Sequence, residues 1–325
     1  MALHPRNRGA RWESVRGAHH AKTPDRFSAG GVNMAVARKR VSRRTGRQSL
    51  PPRVRRLIGS PTYIQADEDG AFLRRPEMCG VRLQLDYWKA AEKLQQFGIA
   101  DTVVVYGSTR VEAPARARRM LTQARTRLRD APTDVRRQRA VRDAEALVRH
   151  SIYYDVAREL GRLVGAAAAT PTLPRLTIVT GGGPGIMEAA NRGAFESRSP
   201  TVGMNIALPQ DQLPNPYLTP DLCFRFHYFA IRKLHLLEKA KATVFFPGGF
   251  GTCDELFEVL TLLQTRKIEP IPVVLVGEAY WRSLVDFQML ADEGMIAPGD
   301  LSLFRFGEQA EDIWSTIRGW YDAKA

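Results

Sequence analysis

The stretch Pro247-Gly-Gly-Phe-Gly-Thr-Cys-Asp-Glu255 joins a short apolar run, Thr243 to Phe246, to a segment with Leu256, Leu260 and Leu263 on one face. A buried strand, a glycine turn and a helix, in that order, form an anion site. Gly248, Gly249 and Gly251 let the backbone turn sharply and lie against a ligand with no side chain between. The helix that follows points its free N–H groups and the positive end of its dipole at the same place. Phosphate is the usual occupant. The layout recurs upstream, where Leu176 to Thr180 reads as a strand, Gly181-Gly-Gly-Pro-Gly185 as the turn, and the residues from Ile186 as a helix. A weaker third copy runs from Thr102 to Tyr106 into Gly107-Ser108-Thr109. Three such turns in one chain predict a single site at the carboxyl edge of a parallel sheet.

Two common nucleotide motifs do not fit. A dinucleotide fingerprint needs a third glycine or alanine where this chain has Ile186, and an acid at the end of the next strand, which reads TVGMNIAL. A phosphate-loop NTPase needs Gly-Lys-Ser/Thr, which is absent. Phosphate-binding architecture without either motif points to a mononucleotide or a sugar phosphate.

The segments GGGPGIMEAANRGA from Gly181 and PGGFGTCDE from Pro247 resemble, in this order, the two signature blocks of the LONELY GUY family. YFAIRK, from Tyr228 to Lys233, resembles the Arg-Lys element that precedes the second block. The resemblance covers roughly Arg74 to the C-terminus. An arginine-rich insertion makes it closer to the longer bacterial type than to the short plant type. Family members are phosphoribohydrolases of nucleoside 5′-monophosphates, AMP and cytokinin ribotides among them, and have often carried a lysine decarboxylase label. That label is set aside here: a pyridoxal-phosphate enzyme needs a Schiff-base lysine in a recognisable setting, and Lys233, Lys239 and Lys241 have none.

The resemblance implies Arg232 and Glu255 as the catalytic pair. It implies contacts to the substrate and its phosphate from the glycines Gly107, Gly182, Gly183, Gly185, Gly248, Gly249 and Gly251. Ser108, Met187, Glu188, Lys233 and Thr252 are the side chains expected beside them. Cleaving an N-glycosidic bond builds positive charge on the ribose ring. A carboxylate at Glu255 can stabilise that charge and orient or deprotonate water. Arg232 can hold the phosphate or a hydroxyl by charge-assisted hydrogen bonds.

Plainer readings stand beside these. Thr252-x-x-Glu255 has the spacing of a capping box, so Glu255 could serve only the helix end. Spacing alone favours the cap; the resemblance favours catalysis, and the two are compatible. Arg232 alone would be an ordinary surface charge near a helix start. Glu188 suits its helix N-terminus electrostatically, and Ser108 and Thr109 can simply shape a turn. His227 and His235 read as packing or surface residues. Cys253, near a helix N-terminus, is expected to have a lowered pKa, but is not proposed as a nucleophile.

The elements that must position these residues alternate strand and helix. The chain therefore reads as a Rossmann-like α/β fold: a doubly wound parallel sheet with helices on both faces. Strands are expected at Asp101–Tyr106, Leu176–Thr180, Thr201–Ala207, Leu222–Phe226, Thr243–Phe246 and Pro272–Val276. Helices are expected over Arg74–Phe97, Ile152–Ala169, Tyr228–Lys241, Tyr280–Glu293 and Glu308–Ala323. Residues 111–150, rich in arginine and interrupted at Pro132, read as an exposed helical hairpin inserted after the first strand.

Residues 1–60 hold 15 Lys and Arg against 2 acids, a balance of +13 out of the whole chain's +14. The basicity belongs to a tail, and residues 61–325 form a nearly neutral single domain. The tail has no apolar period and reads as disordered. It could bind polyanions, act as a transit sequence or reflect an over-extended gene start; a solvated extension is the plainest reading. No run reaches membrane-spanning length. Cys79, Cys223 and Cys253 have no metal-ligand spacing and fit a reducing, cytoplasmic setting. No cofactor and no metal are expected. The expected partners are a nucleoside monophosphate and further copies of the chain, as a homodimer or larger, with nucleic acid bound only nonspecifically by the tail. The alternative is a binding protein on the same fold, similar to molybdenum-cofactor carriers. Retention of both Arg232 and Glu255 favours the hydrolase.

Overall fold

The computed structural model describes residues 50–209 and 213–324. Most of the expected basic tail lies outside them. The chain divides into two compact units, residues 1–69 and 70–325. In the first, α1 (Pro52–Ile58) is a short helix with no buried residue, inside the segment expected to be disordered. Proline near its start costs no hydrogen bond, because the first N–H groups of a helix have no partner anyway.

The second unit opens with α2 (Gly70–Leu73) and α3 (Cys79–Gln96), and then builds one sheet. Its strands are β1 (Thr102–Tyr106), β2 (Thr177–Thr180), β3 (Thr201–Ile206), β4 (Cys223–Phe226), β5 (Ala240–Phe245), β6 (Val273–Val276) and β7 (Arg305–Gly307). All pairings are parallel, in the order β4-β3-β2-β1-β5-β6-β7. The Rossmann-like reading holds. Central strands such as TVVVY and VVLV are apolar and β-branched throughout because both faces are covered.

Successive side chains leave a strand on opposite faces. Val103 and Val105 join one core layer with α6 (Ile152–Ala166), α7 (Ile186–Glu196) and α12 (Ala310–Asp322). Val104 and Tyr106 join the other, with α3, α8 (Phe229–Glu238), α9 (Phe250–Gln264), α10 (Glu278–Leu284) and α11 (Phe287–Asp292). Between β1 and α6 the chain makes an antiparallel hairpin of α4 (Pro114–Arg129) and α5 (Val135–His150). Asp134 caps α5 by accepting from the N–H groups of Arg136 and Arg137.

Three boundaries differ from the sequence expectation. The expected helix over Tyr280–Glu293 is two helices. Val285 is extended, and the Asp286 carboxylate starts α11 by accepting from Met289 N at 3.0 Å. The helix expected to reach Lys241 stops at Glu238, and β5 begins at Ala240, opposite Thr102. β7 was not expected: three residues whose first is exposed carry too little apolar pattern to read, and pairing with β6 creates the strand.

Candidate active site

Chain order places β2, β3 and β4 on one side of β1 and β5, β6 and β7 on the other. The sheet therefore reverses direction between β1 and β5, and ligands of such sheets bind outside the carboxyl ends at that point. The three glycine turns meet there through backbone hydrogen bonds. Ser108 N donates to Pro247 O at 3.1 Å, Ile186 N donates to Ser108 O at 3.1 Å, and Phe246 N donates to Tyr106 O at 2.9 Å.

Gly185, the N-cap of α7, has φ 75°, and a Cβ there would lie 2.3 Å from Ser108 O. Only glycine takes that backbone without strain while lying so close to the neighbouring turn. At Gly248 a Cβ would lie 2.2 Å from Thr252 Oγ1. At Gly249 and Gly251 it would meet nothing within 4 Å. The protein's own packing gives no reason for glycine at those two positions.

A buried polar network, not anticipated from the sequence, fixes the second turn. Thr180 Oγ1 accepts from Gly182 N at 2.9 Å and donates to Asn191 Oδ1 at 2.7 Å. Asn215 Nδ2 donates to Gly183 O at 3.0 Å and to Asn191 Oδ1 at 2.9 Å, while Asn215 N donates to Gly182 O at 2.8 Å. Asn191 Nδ2 completes the set on Thr201 Oγ1 at 2.5 Å. The signal for Asn191 was present: an asparagine within the apolar face of IMEAANRGA must find partners when buried. Asn215, in a proline-rich loop, gave no such signal.

The charged side chains come from two helices. Arg232 on α8 and Glu255 on α9 are paired, Nη2 to Oε1 at 2.5 Å, with side chains only 12% and 14% exposed. The Arg232 guanidinium also lies 5.1 Å from the centre of the Phe229 ring, and its Nε is buried without a partner. Burial pushes the Glu255 carboxyl up to about 7, although Arg232 and Lys233 oppose the shift. Burial also raises the Tyr106 phenol well above its usual 10, with the Glu255 charge adding to the effect. Tyr106, which ends β1 beside the turn, belongs to the site and was missed as a site residue because it reads as a core aromatic.

The helix containing Glu255 starts earlier than expected, and this changes the capping reading. Gly249 is the N-cap of α9 and makes no side-chain cap bond, which leaves Thr252 in the third helical position and Glu255 in the sixth. No capping box forms. Glu255 is held by Arg232.

The other expected residues lie around this pair. Lys233 Nζ is bound by Asp254 at 2.7 Å and Glu258 at 3.0 Å, a second bridge between α8 and α9. Glu188 Oε1 accepts from Tyr154 Oη at 2.9 Å. Met187 packs under its own turn, since a Cβ at Gly181 would meet its Sδ at 2.8 Å. Ser108 Oγ accepts from Arg110 N at 3.1 Å, shaping the first turn. Cys253 departs from expectation: burial raises its thiol pKa and outweighs the helix end. His235 is buried and stacks on Tyr87 at 4.9 Å. It packs α8 against α3, so that Arg232 sits on a fixed helix.

As a class, this is a Rossmann-like α/β protein whose glycine turns converge at the switch point of its sheet. The family described as "Possible lysine decarboxylase" matches residues 187–317. A pyrimidine/purine nucleotide 5′-monophosphate nucleosidase of Escherichia coli (strain K12) is 32% identical over 153 residues, covering 41% of this chain and 31% of that protein. A cytokinin riboside 5′-monophosphate phosphoribohydrolase of Arabidopsis thaliana is 31% identical over 153 residues, covering 45% and 66%. The chain thus spans about a third of the first relative's length and just under two thirds of the second's. A solved molybdenum cofactor binding protein from Rippkaea orientalis is 16% identical with a TM-score of 0.37, over 52% of this chain and 87% of that one. So loose a likeness does not favour a carrier over a hydrolase. With its two signature blocks in order and these relatives, the chain belongs to the LONELY GUY family.

Proposed function

We propose that this protein hydrolyses the N-glycosidic bond of nucleoside 5′-monophosphates, such as AMP or cytokinin riboside monophosphate, to free base and ribose 5-phosphate. The observation that supports this best is the buried Arg232–Glu255 pair beside the convergent glycine turns. A carboxyl with a pKa of about 7 is poised to exchange a proton at neutral pH. In the reaction the bond from C1′ to the base nitrogen breaks, and positive charge grows on the ribose ring. Ionised Glu255 stabilises that charge and takes a proton from the attacking water. Arg232 holds Glu255 in place and can turn its unpartnered Nε to a ribose hydroxyl or phosphate oxygen. The open backbone at Gly249 and Gly251 and the N-terminus of α9 receive the 5′-phosphate.

The decarboxylase description finds little support in the lysines. Lys233 is held by two carboxylates, and Lys241 Nζ lies 3.4 Å from Asp101. No helix among the described residues is long and apolar enough to cross a membrane, and all three cysteines are free, in keeping with a cytoplasmic enzyme. A homodimer or larger assembly is part of this reading. Leu85, Trp88, Phe229, Leu234, Phe250 and Phe257 expose apolar surface on α3, α8 and α9. Light scattering that found an active monomer would remove the assembly from the reading.

The test is to incubate the protein with a panel of nucleoside 5′-monophosphates and with adenosine, and to measure free base. Base is expected from AMP or a related monophosphate, and little from adenosine. Binding of AMP without base release from any nucleotide would make the protein a carrier on the same fold.

A further inference from the structure

Residues 114–150 carry eleven arginines, no lysine and four acids, whereas the rest of residues 61–325 carries 22 basic against 28 acidic residues. The positive charge outside the N-terminal tail is thus concentrated in the hairpin of α4 and α5. Four of its arginines pair with carboxylates, Arg116 with Glu112, Arg125 with Glu145, Arg137 with Asp134 and Arg139 with Asp143. The other seven, Arg118, Arg119, Arg127, Arg129, Arg136, Arg142 and Arg149, are exposed and have no carboxylate partner among the described residues. A helix face kept only for solvation mixes its signs and pairs them at i,i+4. Unpaired like charges on two packed helices repel, and an anionic ligand would relieve that cost.

The hairpin is rooted at the site at both ends. It leaves from the first glycine turn, where Ser108 bonds to Pro247 and Ile186. It returns at His150, whose ring lies 6.2 Å from that of Tyr153 and 6.3 Å from that of Tyr280. Tyr280 Oη in turn donates to Gly248 O at 2.6 Å. Each helix has 16 residues, about 24 Å of length, so its arginines are graded by distance from the turns. Arg118, Arg119, Arg142 and Arg149 lie in the root half; Arg127, Arg129 and Arg136 lie toward the tip.

We propose that the root of this hairpin captures the anionic substrate. Its arginines draw the phosphomonoester toward the glycine turns against the repulsion of the acidic remainder, and so set KM and its salt dependence while leaving kcat alone. The proposal rests on the phosphoribohydrolase reading. Such a field reaches about 8 Å at physiological ionic strength and further in dilute salt. Root charges therefore act on the site, and tip charges are screened.

The experiment compares two full-length double variants of equal charge change, Arg119→Glu with Arg149→Glu at the root and Arg127→Glu with Arg136→Glu at the tip. The root pair should raise KM for AMP, and its calorimetric Kd, roughly threefold at about 20 mM salt, with the difference lost near 0.5 M. Its kcat should not change, and the tip pair should match the wild type throughout. Equal effects from root and tip would overturn the proposal, since net charge alone would then suffice. A root pair that lowers kcat or melts early while leaving KM unchanged would overturn it as well. If AMP binds and no base is released, the hydrolase reading fails, and the calorimetric comparison still decides for or against the hairpin.

Discussion

Gly181–Gly185 and Pro247–Gly251 each lead from a buried strand into a helix at the same edge of the sheet, one on either side of β1. The turn after β2 is held from below by side chains. Thr180, Asn191 and Asn215 satisfy its backbone, and Ile186 N ties it to the first turn. The turn after β5 has Tyr280 on one carbonyl and little else around Gly249 and Gly251, and Phe250 is 97% exposed. Beneath it lie the charges, Arg232 with Glu255 and Lys233 with Asp254 and Glu258. The difference separates two tasks. A cradle for a phosphate works best when its N–H groups are fixed in advance, whereas a catalytic carboxylate needs burial, a partner and room for the reacting ring.

The largest test of that division falls on the β5 side. Glu255→Gln keeps the size and most of the packing but cannot take a proton, so turnover should fall by roughly 10²-fold or more. Arg232→Ala should cripple turnover too, because it leaves Glu255 buried without its cation. In the wild type kcat/KM should rise with pH through about 7 as Glu255 ionises, and Glu255→Gln should lose that limb. The stability effect has the opposite sign. Folding raises the Glu255 pKa from 4.5 to about 7, so its contribution is full below 4.5 and is lost as pH rises through 7. Melting temperatures across this window should flatten in Glu255→Gln. Full activity in Glu255→Gln would end the catalytic reading.

A smaller effect is expected on the β2 side. Asn215→Ala strands Gly183 O and half of Asn191, which costs about 1–3 kcal/mol of stability. The turn would then be ordered only on binding, and KM should rise roughly fivefold, the equivalent of about 1 kcal/mol of lost preorganisation. Asn215→Asp should be worse than alanine, because a carboxylate oxygen would face two acceptors. A kcat that falls with KM unchanged in Asn215→Ala would contradict the division of tasks.

This contrast also explains what the sequence could convey. Glycines between an apolar run and a helical period announce a turn locally, so both turns, six of the seven strands and the arginine hairpin were legible. The pairing of Arg232 with Glu255 was legible only by resemblance, since 23 residues and a strand separate them. The capping reading of Glu255 was wrong because Thr252 looked like a helix start; α9 begins at Phe250, where an exposed phenylalanine between glycines gives no helix signal. Asn215 and Tyr106 acquire their roles from partners distant in the chain, and no local pattern encodes those.

The smallest effect is expected from removing residues 1–60. Both turns take their bonds from the sheet edge and the helices behind it, and every partner named above lies at or beyond Asp86 in the sequence. The removed stretch carries 15 basic residues, and the part of it that forms α1 buries no side chain. Residues 61–325 should therefore fold alone with the melting temperature, KM and kcat of the full chain. What should change is nonspecific affinity for DNA, which comes from neutralised phosphates and weakens as salt is added. The truncated protein should lose most of that affinity and show a shallower salt dependence. If it instead became insoluble or inactive, the first unit would be part of the site's support, and the contrast between the two turns could not be ascribed to the sheet edge alone.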